Sequence, residues 1–129
     1  MPERTLASIF CVDADPDVRE IVEVAFGLVP GLTVRTCPSG TLAVQELPLV
    51  MPDLVLLDAT MPGLDGPATL AKMREDERLR NLPVIFLTTT ALARNVDRYL
   101  QLGAIGVISK PFDPPALAVR VRELWTAAS

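Results

Sequence analysis

Histidine is absent from this sequence. That removes every histidine-dependent catalytic triad, every imidazole metal site and any role as a phosphohistidine carrier, so whatever chemistry occurs must be built from carboxylates, hydroxyls and amines. Cysteine is scarce: Cys11 and Cys37 are the only two, and Cys11 lies inside the apolar run "SIFCV". They read as buried reduced thiols rather than as a disulfide or redox pair. No Lys/Arg block occurs and the formal net charge is -4, which argues against direct binding of nucleic acid through a basic surface. The longest apolar runs, such as "LVLL" and "VIFL", fall far short of a membrane span, so no membrane association is expected. The amino-terminal segment lacks a signal-peptide core and a small-residue cleavage site, and a cytoplasmic location is expected.

What is present describes one domain, residues 1–129. Half the residues are hydrophobic and 22% are charged, the balance of a globule with a proper core. Short aliphatic runs alternate with segments of helical period. Strands are expected over 7–12, 33–37, 54–58, 83–88 and 106–109. They are mostly apolar throughout, as in a parallel sheet covered on both faces. Helices are expected over 16–28, 39–47, 66–78 and 91–102, with a last one beginning at Asp113-Pro114-Pro115. Val18, Ile21, Val22, Ala25 and Phe26 form one stripe, and Leu117, Val121, Leu124 and Trp125 form another. The pattern is (βα)5, and such a sheet carries its functional groups beyond the carboxyl ends of its strands.

Those ends hold chemistry. Strand 1 runs into Asp13, strand 3 into Asp58, strand 4 into Thr88 and strand 5 into Lys110. Two carboxylates, a hydroxyl and an amine would face one rim. Each is ordinary singly; the combination in this order is not. In "PDLVLLDATMPGLDG" (52–66), "LPVIFLTT" (82–89) and "LGAIGVISKPF" (102–112) the sequence resembles the receiver domains of two-component response regulators, from Ile9 to about Trp125. The resemblance implies a flavodoxin-like, doubly wound α/β fold with a five-stranded parallel sheet in the order 2-1-3-4-5. It implies that Asp58 accepts a phosphoryl group from a kinase phosphohistidine and that Thr88 and Lys110 bind the phosphoryl oxygens. Asp13, Asp58 and the backbone carbonyl of Thr60 would hold Mg²⁺, and the Lys110–Pro111 bond would be cis. The implied role is phosphoacceptor signalling rather than turnover of a substrate. The implied partners are a sensor histidine kinase or phosphotransfer protein and a downstream target protein. The target would meet a surface including Arg94, Arg98, Tyr99, Val107, Arg120 and Trp125.

The sequence also departs from the family pattern. The family usually places two adjacent acids after strand 1; here the pair reads Asp13-Ala14. Asp15 before Pro16 reads as a helix cap and Asp17 as a first-turn acid that suits the helix dipole, so neither replaces the missing carboxylate. Mg²⁺ binding should be weakened accordingly. Thr89 stands where a small residue is usual, and Val107 where an aromatic is usual, so signalling cannot use rotation of that aromatic. These departures keep open an alternative, a pseudo-receiver acting as a phosphorylation-independent interaction module. "FCVDADPDV" further resembles the first motif of haloacid-dehalogenase-type phosphatases, with Asp13 as nucleophile.

Overall fold

Apolar side chains on both sides of a strand need cover on both sides, and that requirement organises this chain. In the computed structural model, which describes residues 5–128, β1 (Ser8–Val12), β2 (Thr33–Cys37), β3 (Leu54–Asp58), β4 (Val84–Thr89) and β5 (Gly106–Lys110) pair in parallel in the order β2-β1-β3-β4-β5. Each strand boundary lies within one residue of its expected position. The helices are α1 (Pro16–Gly27), α2 (Gly40–Val50), α3 (Gly66–Glu75), α4 (Thr90–Ala93), α5 (Val96–Gln101) and α6 (Pro114–Ala128).

Side chains alternate across the sheet and so build two cores. Ile9, Cys11, Leu54, Leu56, Ile85 and Leu87 pack beneath α1 and α6, against Val18, Val22, Phe26, Leu117, Val121 and Trp125. Phe10, Val12, Val55, Leu57, Val84 and Phe86 pack on the other face, with Ala43 and Leu47 of α2, Leu70 and Met73 of α3, and Tyr99 of α5. Each fully buried aliphatic or aromatic side chain here contributes roughly 1.5–3 kcal/mol. Cys11 and Cys37 are buried free thiols in different cores, and burial pushes both thiols up from their ordinary pKa.

The caps anticipated from sequence form as expected. Asp15 Oδ1 accepts the Asp17 N–H at 2.9 Å, and Asp113 Oδ1 accepts the Ala116 N–H at 2.7 Å. Three helices differ from expectation. α2 continues past Pro48 to Val50, because a proline near the end of a helix forfeits a single backbone bond; Met51 then closes it in the left-handed region at φ 47°. α3 stops at Glu75 because Asp76 turns extended and pairs with Arg78. The segment expected as one helix over 91–102 is two, since Asn95 leaves helical geometry at ψ 46°.

Tyr99 is correspondingly not a surface residue. It is buried, with its ring centroid 4.9 Å from that of Phe86. Val107 and Trp125 are buried too. Of the residues expected on an output surface, Arg94, Arg98 and Arg120 are the exposed ones. Trp125 instead fills the place its helical stripe predicts.

Candidate functional site

Parallel strands that end level bring their last residues to one edge. Asp58 and Lys110 are the final residues of β3 and β5, Thr88 is the penultimate residue of β4, and Asp13 follows β1 directly. All four residues expected at the strand ends therefore gather at one rim. Asp13, Asp58 and Thr88 are buried there, and Lys110 is partly exposed.

Lys110 is the link. Its Nζ lies 2.7 Å from Asp13 Oδ2 and 3.2 Å from Asp58 Oδ1, so one ammonium bridges two carboxylates. The Lys110–Pro111 peptide bond is cis, as the resemblance implied. Asp58 Oδ1 also accepts the Thr60 N–H at 3.2 Å. Asp13 Oδ1 accepts the Asp15 N–H at 2.9 Å. The Thr88 hydroxyl is buried and has no hydrogen-bond partner among the described residues, which is costly for a group of that kind unless something else satisfies it.

The electrostatics follow from burial and proximity. Burial, then the charge of Asp13, pushes the Asp58 pKa above its ordinary value, against the opposing pull of Lys110 and the Thr60 N–H. For Lys110 burial acts to lower the pKa. The hydrogen bond and charge of Asp13 and the charge of Asp58 outweigh it and hold the ammonium above its ordinary value.

Gly66 lets the site close. It opens α3 directly against the phosphoacceptor candidate, and a Cβ there would stand 2.5 Å from the Asp58 carbonyl oxygen and 2.7 Å from Ala59 Cα.

The departures take structural form. Ala14, next to Asp13, is exposed and offers only a methyl group. Asp15, just before α1, and Asp17, in its first turn, are exposed, with the Asp15 carboxylate occupied as the cap. Thr89 turns its hydroxyl to the start of α4, accepting the Leu92 N–H at 3.4 Å. Asp13 and Asp58, with backbone carbonyls and water, supply the oxygen donors a hard divalent ion prefers. They fit Mg²⁺ in donor type with one carboxylate fewer than the usual family pattern; among the described residues no group of three or more acidic, thiol or imidazole ligands forms a metal cluster. A phosphatase nucleophile at Asp13 does not fit. That residue has no solvent exposure and both carboxylate oxygens are engaged, while Asp15, the would-be acid two residues on, points outward as a cap.

One participant was not expected from sequence. Arg19 of α1 donates from Nη1 to the Asp13 carbonyl oxygen at 2.7 Å. A cation near the start of a helix runs against the helix dipole, and that mismatch is the signal the sequence offered.

The family model for the response regulator receiver domain matches residues 9–122. Response regulator Rre1 of Synechocystis sp. is 38% identical over 117 residues, spanning 91% of this chain and 51% of that protein. The chain thus spans about half the length of the curated relatives it matches. Among solved structures, the signal receiver domain of a signal transduction histidine kinase from Syntrophus aciditrophicus is 32% identical with a TM-score of 0.78, covering 95% of this chain and 92% of that one. The chemotaxis response regulator CheY4 of Vibrio cholerae superposes with a TM-score of 0.83 at 24% identity, covering 93% and 99%, a likeness of fold. No helix among the described residues is long and apolar enough to cross a membrane.

Proposed function

The chain belongs to the response regulator receiver domain family, whose general function in two-component signalling is phosphorylation on an aspartate, and on that footing we propose that Asp58 is its phosphoacceptor. The observation that carries this reading is the Lys110 bridge between Asp13 and Asp58 beside the unpartnered Thr88 hydroxyl. Asp58 Oδ1 is held by Lys110 and by the Thr60 N–H, which leaves Oδ2 as the nucleophile. Its attack on a phosphohistidine forms the P–O bond as the P–N bond breaks, and the imidazole nitrogen departs with the electron pair. The incoming oxygens gain the ammonium of Lys110 and the hydroxyl of Thr88, so charge is met by groups already in place.

Receiver domains generally bind Mg²⁺ at their acidic pocket. Here Asp13, Asp58 and the backbone carbonyl of Thr60 would hold it, more weakly for the methyl of Ala14. The ion, when bound, neutralises phosphoryl oxygens.

Response regulators work with histidine kinases and downstream targets. For this chain we place the target-binding surface on α4, α5, β5 and α6, around the exposed Arg94, Arg98 and Arg120, in a cytoplasmic protein whose receiver unit is residues 1–129. That unit contacts neither nucleic acid nor membrane directly, and it receives a phosphoryl group rather than turning over a substrate.

A second reading is favoured by Ala14 and by the buried Val107: a pseudo-receiver that binds a partner without phosphorylation. Intact mass after incubation with a small-molecule phosphodonor, across a Mg²⁺ series, separates the two. A gain of one phosphoryl group that Asp58→Asn abolishes supports the acceptor. No gain at any Mg²⁺ concentration supports the pseudo-receiver.

A further inference from the structure

Every polar atom of Asp13 has a partner. Its N–H donates to the Cys37 carbonyl at 3.1 Å, Oδ1 accepts from the Asp15 N–H at 2.9 Å, and Oδ2 accepts from Lys110 at 2.7 Å. The fourth, its carbonyl oxygen, accepts from Arg19 Nη1 at 2.7 Å. Three of these contacts come from the strand ladder, the local turn and the site itself. Arg19 alone reaches in from the body of a helix.

That placement works against helix electrostatics, which disfavour a cation this close to the start of α1. What offsets it is a short, charge-assisted hydrogen bond to a carbonyl that lies beyond the β1 ladder. Ala14 has no side-chain polar atom to anchor this turn, so the guanidinium is the only side chain that holds the Asp13–Ala14 peptide among the described residues. The carboxylate of Asp13 departs from the same Cα as that carbonyl, and Lys110 is aimed by the carboxylate.

We propose that Arg19 is a positioning residue of this site: by pinning the Asp13 carbonyl it sets the Asp13 carboxylate, which in turn holds the Lys110 ammonium against Asp58. The proposal deepens the reading of Asp58 as phosphoacceptor and rests on it for the rate described next.

The test is two readouts on the full chain carrying Arg19→Ala or Arg19→Lys. The first is the amide proton shift of Asp15, whose bond to Asp13 Oδ1 reports where the carboxylate sits without any phosphorylation. The second is the phosphorylation rate at saturating Mg²⁺ with a small-molecule phosphodonor. In Arg19→Ala the Asp15 amide should move toward the position of a water-bonded amide. The maximal rate should fall roughly tenfold or more, as for a misplaced reacting group, with the phosphodonor KM unchanged. Arg19→Lys, which keeps the charge and loses the planar fork, should lie between. Arg35→Ala, which removes a surface pair with Glu46, should leave both readouts at wild type.

An unmoved Asp15 amide in Arg19→Ala overturns the proposal, and so does a moved amide with an unchanged rate, since Arg19 would then be structural only. Should Arg19→Ala fail to fold, Arg19→Lys decides by the same pair of readouts. If the wild type itself gains no phosphoryl group, the acceptor reading fails, and the amide shift alone decides whether Arg19 sets the Asp13 geometry.

Discussion

Lys110 and Asp13, 97 residues apart in the chain, meet in a hydrogen bond of 2.7 Å between ammonium and carboxylate. The contact closes the sheet edge across β1, β3 and β5, because the same ammonium reaches Asp58 at 3.2 Å. A fully buried carboxylate needs such a partner. The pair therefore holds this edge together, and on the proposed function it also aims the ammonium at the acceptor.

Lys110→Ala should accordingly do two things. It leaves the buried Asp13 carboxylate without its counter-ion, which should destabilise the fold by about 3 kcal/mol, the lower end of the range for a broken buried pair, because the Lys110 side chain is 22% exposed. Urea unfolding at neutral pH measures this. Phosphorylation of Asp58 should be lost in the same variant, read by intact mass.

Asp58→Asn should be more stable than the wild type at neutral pH. Burial and the Asp13 charge raise the Asp58 pKa above 3.8, so the native chain binds that proton more tightly than the unfolded chain. The stabilisation this provides is complete below 3.8 and is lost as pH rises through the native value. The asparagine variant lacks the loss. Its advantage should shrink as pH falls through that window in urea unfolding series between about pH 3.5 and 8, and an advantage independent of pH would contradict the assigned cause.

Ala14→Asp should restore the second acid of the pair. A carboxylate within several Å of a divalent ion is worth a few kcal/mol even at an effective dielectric near 20, so the Mg²⁺ midpoint for phosphorylation should fall about tenfold or more. Without Mg²⁺ the same variant should melt lower than the wild type, since a third carboxylate then faces two others across one ammonium. A calorimetric scan with and without Mg²⁺ reads both signs.

Thr88→Val should separate stability from function. The Thr88 hydroxyl is buried without a partner among the described residues, and replacing such a group by an apolar one of equal shape should stabilise the fold by about 1 kcal/mol. The phosphorylation rate should drop, because the hydroxyl offered to the phosphoryl oxygen is gone. A variant that gains stability and keeps its full rate would show that the hydroxyl has no part in the transfer.

Much of this arrangement is legible in the linear chain. The doubled apolar character of "LVLL" and "VIFL" demands cover on both faces, which leads to alternating strands and helices and to a level edge where Asp13, Asp58, Thr88 and Lys110 must meet. Asp15 and Asp113 announce helix starts by short-range chemistry, since a side-chain oxygen two or three residues from a free N–H needs no tertiary partner. For the same reason Asp15 reads in the linear chain as a cap rather than as a candidate metal ligand.

Other features depend on what lies across space. Tyr99 carries no local mark of burial; it is interior because the break at Asn95 and the ring of Phe86 turn that face of α5 to the sheet. Arg19 shows in sequence only as a cation set against the dipole at the start of α1, and it is the Asp13 carbonyl just beyond β1 that draws it inward.

The sequence by itself therefore determined which residues end each strand, where the caps fall and that one carboxylate is missing beside Asp13, because periodicity and capping act over a few residues. Only the tertiary structure decided that Lys110 spans Asp13 and Asp58, that Thr88 is left without a partner and that Arg19 holds the Asp13 turn. Hydrogen bonds between strand ends depend on sheet order and on the reach of each side chain, and neither is a property of neighbours in the chain.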